Sequence, residues 1–366
     1  MRNAGTLASA LCASAVLACT CAWAERAVWV TPAAETEPVQ SPGDAADDPA
    51  IWVHPTDPGK SLIIGTDKLR GLEVYRLDGS RIQDLPTGRL NNVDLRQGVQ
   101  WGTTTVDLAI ASNRSNRSIE VFLIDRADGT VRHSQADRIP LRLREPYGIC
   151  MYHDAKSKRV FAFVNDKDGR YQQFLMAPQG RSTLVREFRT KTQPEGCVVD
   201  DEKGVLFIGE EVRGVWKIGA DPDATPLLTP IVKVGSGLRA DVEGLTLIES
   251  ESGKYLVVSS QGNNTFVVFA ATGLHERVGR FRIALSRDQT IDGAQRTDGV
   301  AAVGGSFGEL YTHGILVVQD GRNTHPREAQ NFKIVSWREI ELALNLMPWL
   351  DCQPISYSAS CNQLPE

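Results

Sequence analysis

Three aspartates, Asp44, Asp47 and Asp48, crowd into five positions just before the apolar run Ala50-Ile51-Trp52-Val53. Similar junctions recur along the chain: "NNVDLRQ" from 91, Tyr147-Gly148, Glu195-Gly196, Glu243-Gly244 and Asp298-Gly299. A second set of polar residues ends apolar runs, with Lys68, Arg114 and Lys167 in the first half of the chain and Glu210-Glu211, Gln261 and Asp320 in the second. If such groups meet in space, bare carboxylates repel one another by several kcal/mol at an effective dielectric of about 20, so cations must sit among them. The donors are carboxylates, amides (Asn91, Asn92, Gln261) and carbonyls, with no His or Cys in the set. Oxygen-only sites suit hard cations, calcium above all where flexible carboxylates converge. Lys68, Arg114 and Lys167 fall on one side of the set, which points to an anion bridging from them to the metals. Phosphate fits, because Arg offers a planar fork and Lys a point charge.

The elements that would bring these residues together come from an internal repeat. The four Gly-containing junctions step by 48, 48 and 55 residues, and the segments from 47 and 91 keep the spacing. Each is followed by an apolar strand ending in polar groups, such as "LIIGTDK" (62–68) or "FAFVNDK" (161–167), and then by an alternating strand such as "GLEVYRLDG" (71–79). Six such units with no helix between them describe an all-β fold, a six-bladed β-propeller, rather than two β-sandwiches, which do not repeat in sequence. Equivalent positions then ring one end of the central channel. The expected crown is Asp48, Asp94, Tyr147, Glu195, Glu243 and Asp298, with Asp47, Asp241 and Asp292 near by. Residues 27–39 are expected to pair with the last blade. A short C-terminal helix follows "NFKIVSW", opened by a capping box of Ser336 and Glu339.

Arg2 and a run of small apolar residues ending Ala22-Trp23-Ala24 read as a secretory signal. The expected organisation is therefore residues 1–24 as signal peptide, 25–338 as propeller, and 339–366 as helix and tail, in a periplasmic or secreted protein. "VLAC" around Cys19 is the alternative, a lipid-anchored form. No later stretch approaches a membrane span. Cys150, Cys197, Cys352 and Cys361 remain after the signal, enough for one or two disulfides, with Cys352–Cys361 as a local staple. A formal charge of -5 excludes a broadly basic polyanion binder such as a nucleic-acid protein.

The combination "DAADDPAIW", "GRLNNVD", "ASNRS", "EPYG", "PEG", "EE", "DVEGLT", "SSQGN", "TDG" and "QDG" resembles the β-propeller phytases, calcium-dependent alkaline phosphomonoesterases that act on myo-inositol hexakisphosphate (phytate). The resemblance implies a phosphoric monoester hydrolase of the 3-phytase type, acting as a monomer on phytate or its calcium complex with several calcium ions. It implies phosphate binding at Lys68, Arg114, Tyr147 and Lys167, with Asp168 beside them where the family has Glu. It implies calcium ligation by Glu35, Asp48, Glu195, Glu211, Asp241, Glu243, Asp292 and Asp298, with Asn91, Gln261 and Asp320 near the metals. Glu35 comes from the resemblance alone, whereas Asp94 comes from the crown. In the implied mechanism a metal-activated water attacks phosphorus, Glu195 orients it, and Lys68, Arg114, Lys167 and Tyr147 stabilise developing charge. The six His are expected to be incidental. Two other readings of the same propeller are a calcium-dependent lactonase, which has no use for three basic arms, and a non-catalytic exported binding protein.

Overall fold

The structure, a computed structural model, describes residues 26–347. The signal segment and the pair Cys352 and Cys361 lie outside them. Six antiparallel sheets follow one another along the chain, as the repeat predicts. Their innermost strands are Ala46–Trp52, Leu90–Trp101, Pro146–His153, Pro194–Asp200, Val242–Ser250 and Val300–Gly304, in blades one to six. Each pairs with a second strand, from Leu62–Asp67 in blade one to Gly314–Asp320 in blade six.

The second strands are apolar at successive positions because both faces of a blade are covered. Side chains alternate across a strand, so Ile63 packs toward blade six with Phe332 and Ile315, while Ile64 packs toward blade two with Leu90 and Ala111. Six hydrophobic clusters result, one in each gap between neighbouring blades. Neither face of any blade could stay buried without its neighbours, which makes the ring the cooperative unit.

The N-terminal segment closes that ring. Ala34–Glu35 forms the outer strand of blade six, opposite Ile334 and Lys333. Val28–Val30 lies apart from this strand and runs parallel to the last strand of blade five. The helix, Trp337–Leu344, buries Trp337, Ile340 and Glu341 against blades five and six. Its expected capping box does not form. Ser336 makes no side-chain cap bond, and Glu339 instead accepts bonds from the Thr31 amide and hydroxyl. Glu339 thus ties the helix to the N-terminal segment.

Cys150 and Cys197 form a disulfide. It joins the innermost strands of blades three and four, three residues below Tyr147 and two below Glu195. No helix among the described residues is long and apolar enough to cross a membrane.

Candidate active site and metal centre

The crown is built by one local device used five times. In blade one the register passes from Ala46↔Asp67 to Pro49↔Gly65, leaving an extra residue on the inner strand. The same shift occurs at Leu90/Val93, Pro146/Ile149, Pro194/Cys197 and Val242/Leu245. Such a bulge bends the strand and re-aims a side chain. The residues in matching places are Asp47, Asn91, Tyr147, Glu195 and Glu243, and Asp298 holds that place in blade six. The expected crown was therefore one position out in blade one, where Asp47 replaces Asp48, and three out in blade two, where Asn91 replaces Asp94.

The blades meet closely here. A Cβ on Gly148 would lie 1.9 Å from the Glu195 carbonyl oxygen, and one on Gly196 would lie 2.2 Å from that of Glu243. In blades three to six the glycine after the crown residue is what admits the next blade.

A cavity of about 690 Å³ opens above the crown, lined by Lys68, Tyr147, Glu195, Glu211, Glu243 and Asp298 among others. Oxygens of Glu195, Glu211 and Glu243 lie within 4.8 Å of one another. Burial first, then the charge of Glu195, raises Glu211 to about 7 and holds Glu243 well above the usual carboxylate range. Asp298 is raised to about 6 by burial, against the opposing pull of Lys68. Burial likewise raises Asp47, with Lys68 opposing it. Lys68 reaches Asp44 at 2.8 Å, Asp298 at 3.2 Å and Asp47 at 3.3 Å. Burial pulls its ammonium down, but these acids outweigh burial and raise it.

Other expected residues gather at the same mouth. Arg114 points Nη2 to the Lys68 carbonyl at 3.5 Å. The ammonium of Lys167 sits 4.3 Å from the centre of the Tyr147 ring. Asn91 donates to Glu195 at 2.8 Å, and Gln261 donates to Asp298 at 2.7 Å. Asp241 lines the cavity wall.

Five of the expected positions lie elsewhere, and a sixth sits below the crown. Asp94 is bonded to Arg96 and to the Met151 amide and lines a separate cavity with Asp200 and Asp201. It matched the motif by being an acid, three residues past the equivalent strand position. Glu35, Asp292 and Asp320 surround the fully buried ammonium of Lys333, with Asp320 at 3.4 Å. Asp48 accepts the Val93 amide of blade two and sits under the crown. Asp168, expected beside the phosphate, instead bonds Arg170 at 3.0 Å and is absent from the cavity wall.

The donor set fits a hard cation. Asp47 Oδ1, Asn91 Oδ1 and Glu243 Oε2 are buried acceptors with no donor, and every buried polar atom wants a partner. Asn331 Oδ1, and Asn323 Oδ1 in the cavity wall, are also buried acceptors without a donor. Sequence reasoning missed Lys333, hidden in an otherwise apolar strand, and the cavity residues Arg296 and Arg322. The strand alternation of "NFKIVS" was the available signal for the first.

The chain matches a known family along nearly its whole length. The sequence pattern of the family described as phytase matches residues 2–355. A 3-phytase of Bacillus subtilis strain 168 is 41% identical over 336 residues, covering 88% of this chain and 87% of that protein. A solved calcium-binding regucalcin from Agrobacterium tumefaciens strain C58 superposes with a TM-score of 0.51 at 11% identity, over 85% of this chain and 97% of its own. That last likeness shows the fold alone.

Proposed function

The chain belongs to the phytase family, and from that premise we propose that it hydrolyses phytate to lower inositol phosphates and inorganic phosphate with calcium held in the crown. Membership of a phosphomonoesterase family decides against the lactonase reading. The observation that carries the metal assignment is the convergence of Glu195, Glu211 and Glu243 beside orphaned acceptors on Asp47, Asn91 and Glu243. We assign the crown ions to these five residues, with Asp241, Gln261 and Asp298 at their edge. Glu35, Asp292 and Asp320, expected as ligands, are assigned instead to the Lys333 ammonium they surround.

Calcium bound there would neutralise the converging carboxylates and act as Lewis acid toward a phosphate group and a water molecule. Lys68, Arg114 and Lys167 bind the non-bridging oxygens of the reacting phosphate and offset charge that grows as the bond to phosphorus forms. Tyr147 donates its hydroxyl hydrogen to the same group. Burial first, then Glu195 and Asp47, holds that hydroxyl well above its ordinary pKa, so it remains a donor in alkaline solution. Glu195 orients the attacking water. The water oxygen bonds to phosphorus as the bond to the inositol oxygen breaks, and that oxygen leaves with a proton.

Export accords with the Cys150–Cys197 disulfide, since such bonds persist in oxidising compartments. Phosphate release from phytate, with added calcium and with excess chelator, tests the proposal. Release that requires calcium is expected; undiminished release in chelator contradicts the metal assignment.

A further inference from the structure

We infer that Asn165 is a positioning residue for the metal centre, its side-chain amide bridging blades three and four and so fixing Glu195 for calcium. The inference rests on the proposed function, because Glu195 belongs to the same crown.

Asn165 sits near the crown end of the strand Val160–Asp166, on the face that carries Phe161 and Phe163 into the gap between blades three and four. A fully buried amide at the end of that apolar row must find its partners inside the protein. Its Oδ1 accepts the Gly148 amide at 3.1 Å, and its Nδ2 donates to the Glu195 carbonyl at 3.3 Å and to the Tyr171 hydroxyl at 3.1 Å. The groups on both sides need it. The bulges at Pro146/Ile149 and Pro194/Cys197 take Gly148 and Glu195 out of register with their own second strands, so these backbone groups must be paired from elsewhere. Gly148 makes room for the bridge, since a Cβ there would lie 2.6 Å from Asn165 Nδ2. Tyr171, itself buried and stacked on Phe188, steadies the amide.

The other junctions of the ring differ in what fills this gap. From blade five to six the Gly244 amide donates straight to the Asp298 carbonyl at 2.8 Å, and from six to one Gly299 donates to Asp47 at 3.0 Å. Those crown residues are set by backbone alone. From blade three to four a side chain stands between the equivalent groups. From two to three Ser112 does so, accepting the Asn92 amide at 3.2 Å and donating to the Tyr147 carbonyl. The Glu195 main chain is therefore placed by the Asn165 amide, while its carboxylate is held separately by Asn91 at 2.8 Å. Oxygens of Glu195, Glu211 and Glu243 meet within 4.8 Å, so a shift of the Glu195 backbone opens the cluster. Asn165 is absent from the cavity wall and acts through Glu195.

The test is calcium titration by calorimetry, with melting in chelator and kcat on myo-inositol hexakisphosphate, for the unmodified protein and its variants. Asn165→Ala should weaken crown calcium binding about tenfold, as loss of a group that orients a metal ligand implies. Its kcat should fall at limiting calcium and recover in part as calcium is raised. Tyr171→Phe, which deletes only the hydroxyl that steadies Asn165, should weaken calcium binding by a smaller factor. Cys150→Ala/Cys197→Ala cuts the covalent link between the same two strands. It should lower the melting temperature in chelator while calcium affinity and kcat hold. Unchanged calcium affinity in Asn165→Ala, or in Tyr171→Phe should the alanine variant not fold, overturns the inference. An equal loss of affinity in the double cysteine variant also overturns it, by making the junction rather than the amide responsible. If the unmodified protein binds calcium but releases no phosphate from the hexakisphosphate, the proposed function fails while the titration still decides the role of Asn165.

Discussion

Two acid clusters of similar make-up sit at different places in this ring, and they differ in who supplies the counter-charge. Around Glu35, Asp292 and Asp320 the chain brings its own cation, the ammonium of Lys333, with no exposure to solvent. Burial raises Asp292, but its bonds from Lys333 and Thr324 outweigh burial and leave the carboxyl below its ordinary value. At the crown, Lys68 serves only one side, and Glu211 and Glu243 are left raised by burial and by Glu195. The first cluster joins segments distant in sequence, since Glu35 belongs to the closing strand and Lys333 stands directly opposite it. The second surrounds a cavity. An internal cation suits a joint that must hold, whereas charge left open to external cations suits a site that must bind and release anions.

The largest expected effect comes from removing the internal cation. Lys333→Met leaves two buried carboxyl groups and the half-buried Glu35 without their partner and should cost about 3–5 kcal/mol in denaturant unfolding. Turnover by the fraction that remains folded should stay within a few-fold of normal. Equal losses of turnover and stability would erase the distinction between the clusters.

Glu195→Gln is the converse change. It should lower kcat about a hundredfold, while the melting temperature in chelator holds or rises because a crown charge is gone. A fall in melting temperature matching that of Lys333→Met would assign Glu195 to the framework.

The pH dependence of stability sharpens the same contrast with a smaller effect. Glu211 and Asp298 are raised in the folded state, to about 7 and about 6, from ordinary values of 4.5 and 3.8. The folded state therefore binds more protons than the unfolded chain between about pH 4 and 7, and stability in chelator should fall as pH rises through that window. Asp320, also raised by burial to about 6, shares that sign. Asp292, which is lowered, contributes stability that disappears only as pH falls below its ordinary value. Melting curves in chelator from pH 4 to 8 should slope downward, and calcium should raise the curve most at the alkaline end.

Much of this was legible in the sequence because a propeller writes its symmetry into its spacing. The steps of 48, 48 and 55 residues gave the blades, and the acid before each glycine gave Glu195, Glu243 and Asp298 in place. The bulge was invisible, because it depends on pairing with the second strand. Blade one offers two consecutive acids, so pattern alone could not choose Asp47 over Asp48. In blade two the true position holds an amide, and a search for acids slid on to Asp94. The Cys150–Cys197 pairing was hidden for a different reason, since four cysteines allow three connectivities and only the stacking of blades three and four selects this one. The capping box failed because Glu339 found a better partner in Thr31, a residue 308 positions away.

The central claim is that Glu195, Glu211 and Glu243 hold calcium while Lys333 serves the other cluster. Calcium titration by calorimetry on the unmodified protein, Glu211→Gln/Glu243→Gln and Lys333→Met tests it most directly. The account predicts that the double variant loses the crown ions and phytate turnover together, while Lys333→Met retains those ions. Unchanged calcium stoichiometry and affinity in Glu211→Gln/Glu243→Gln would contradict it.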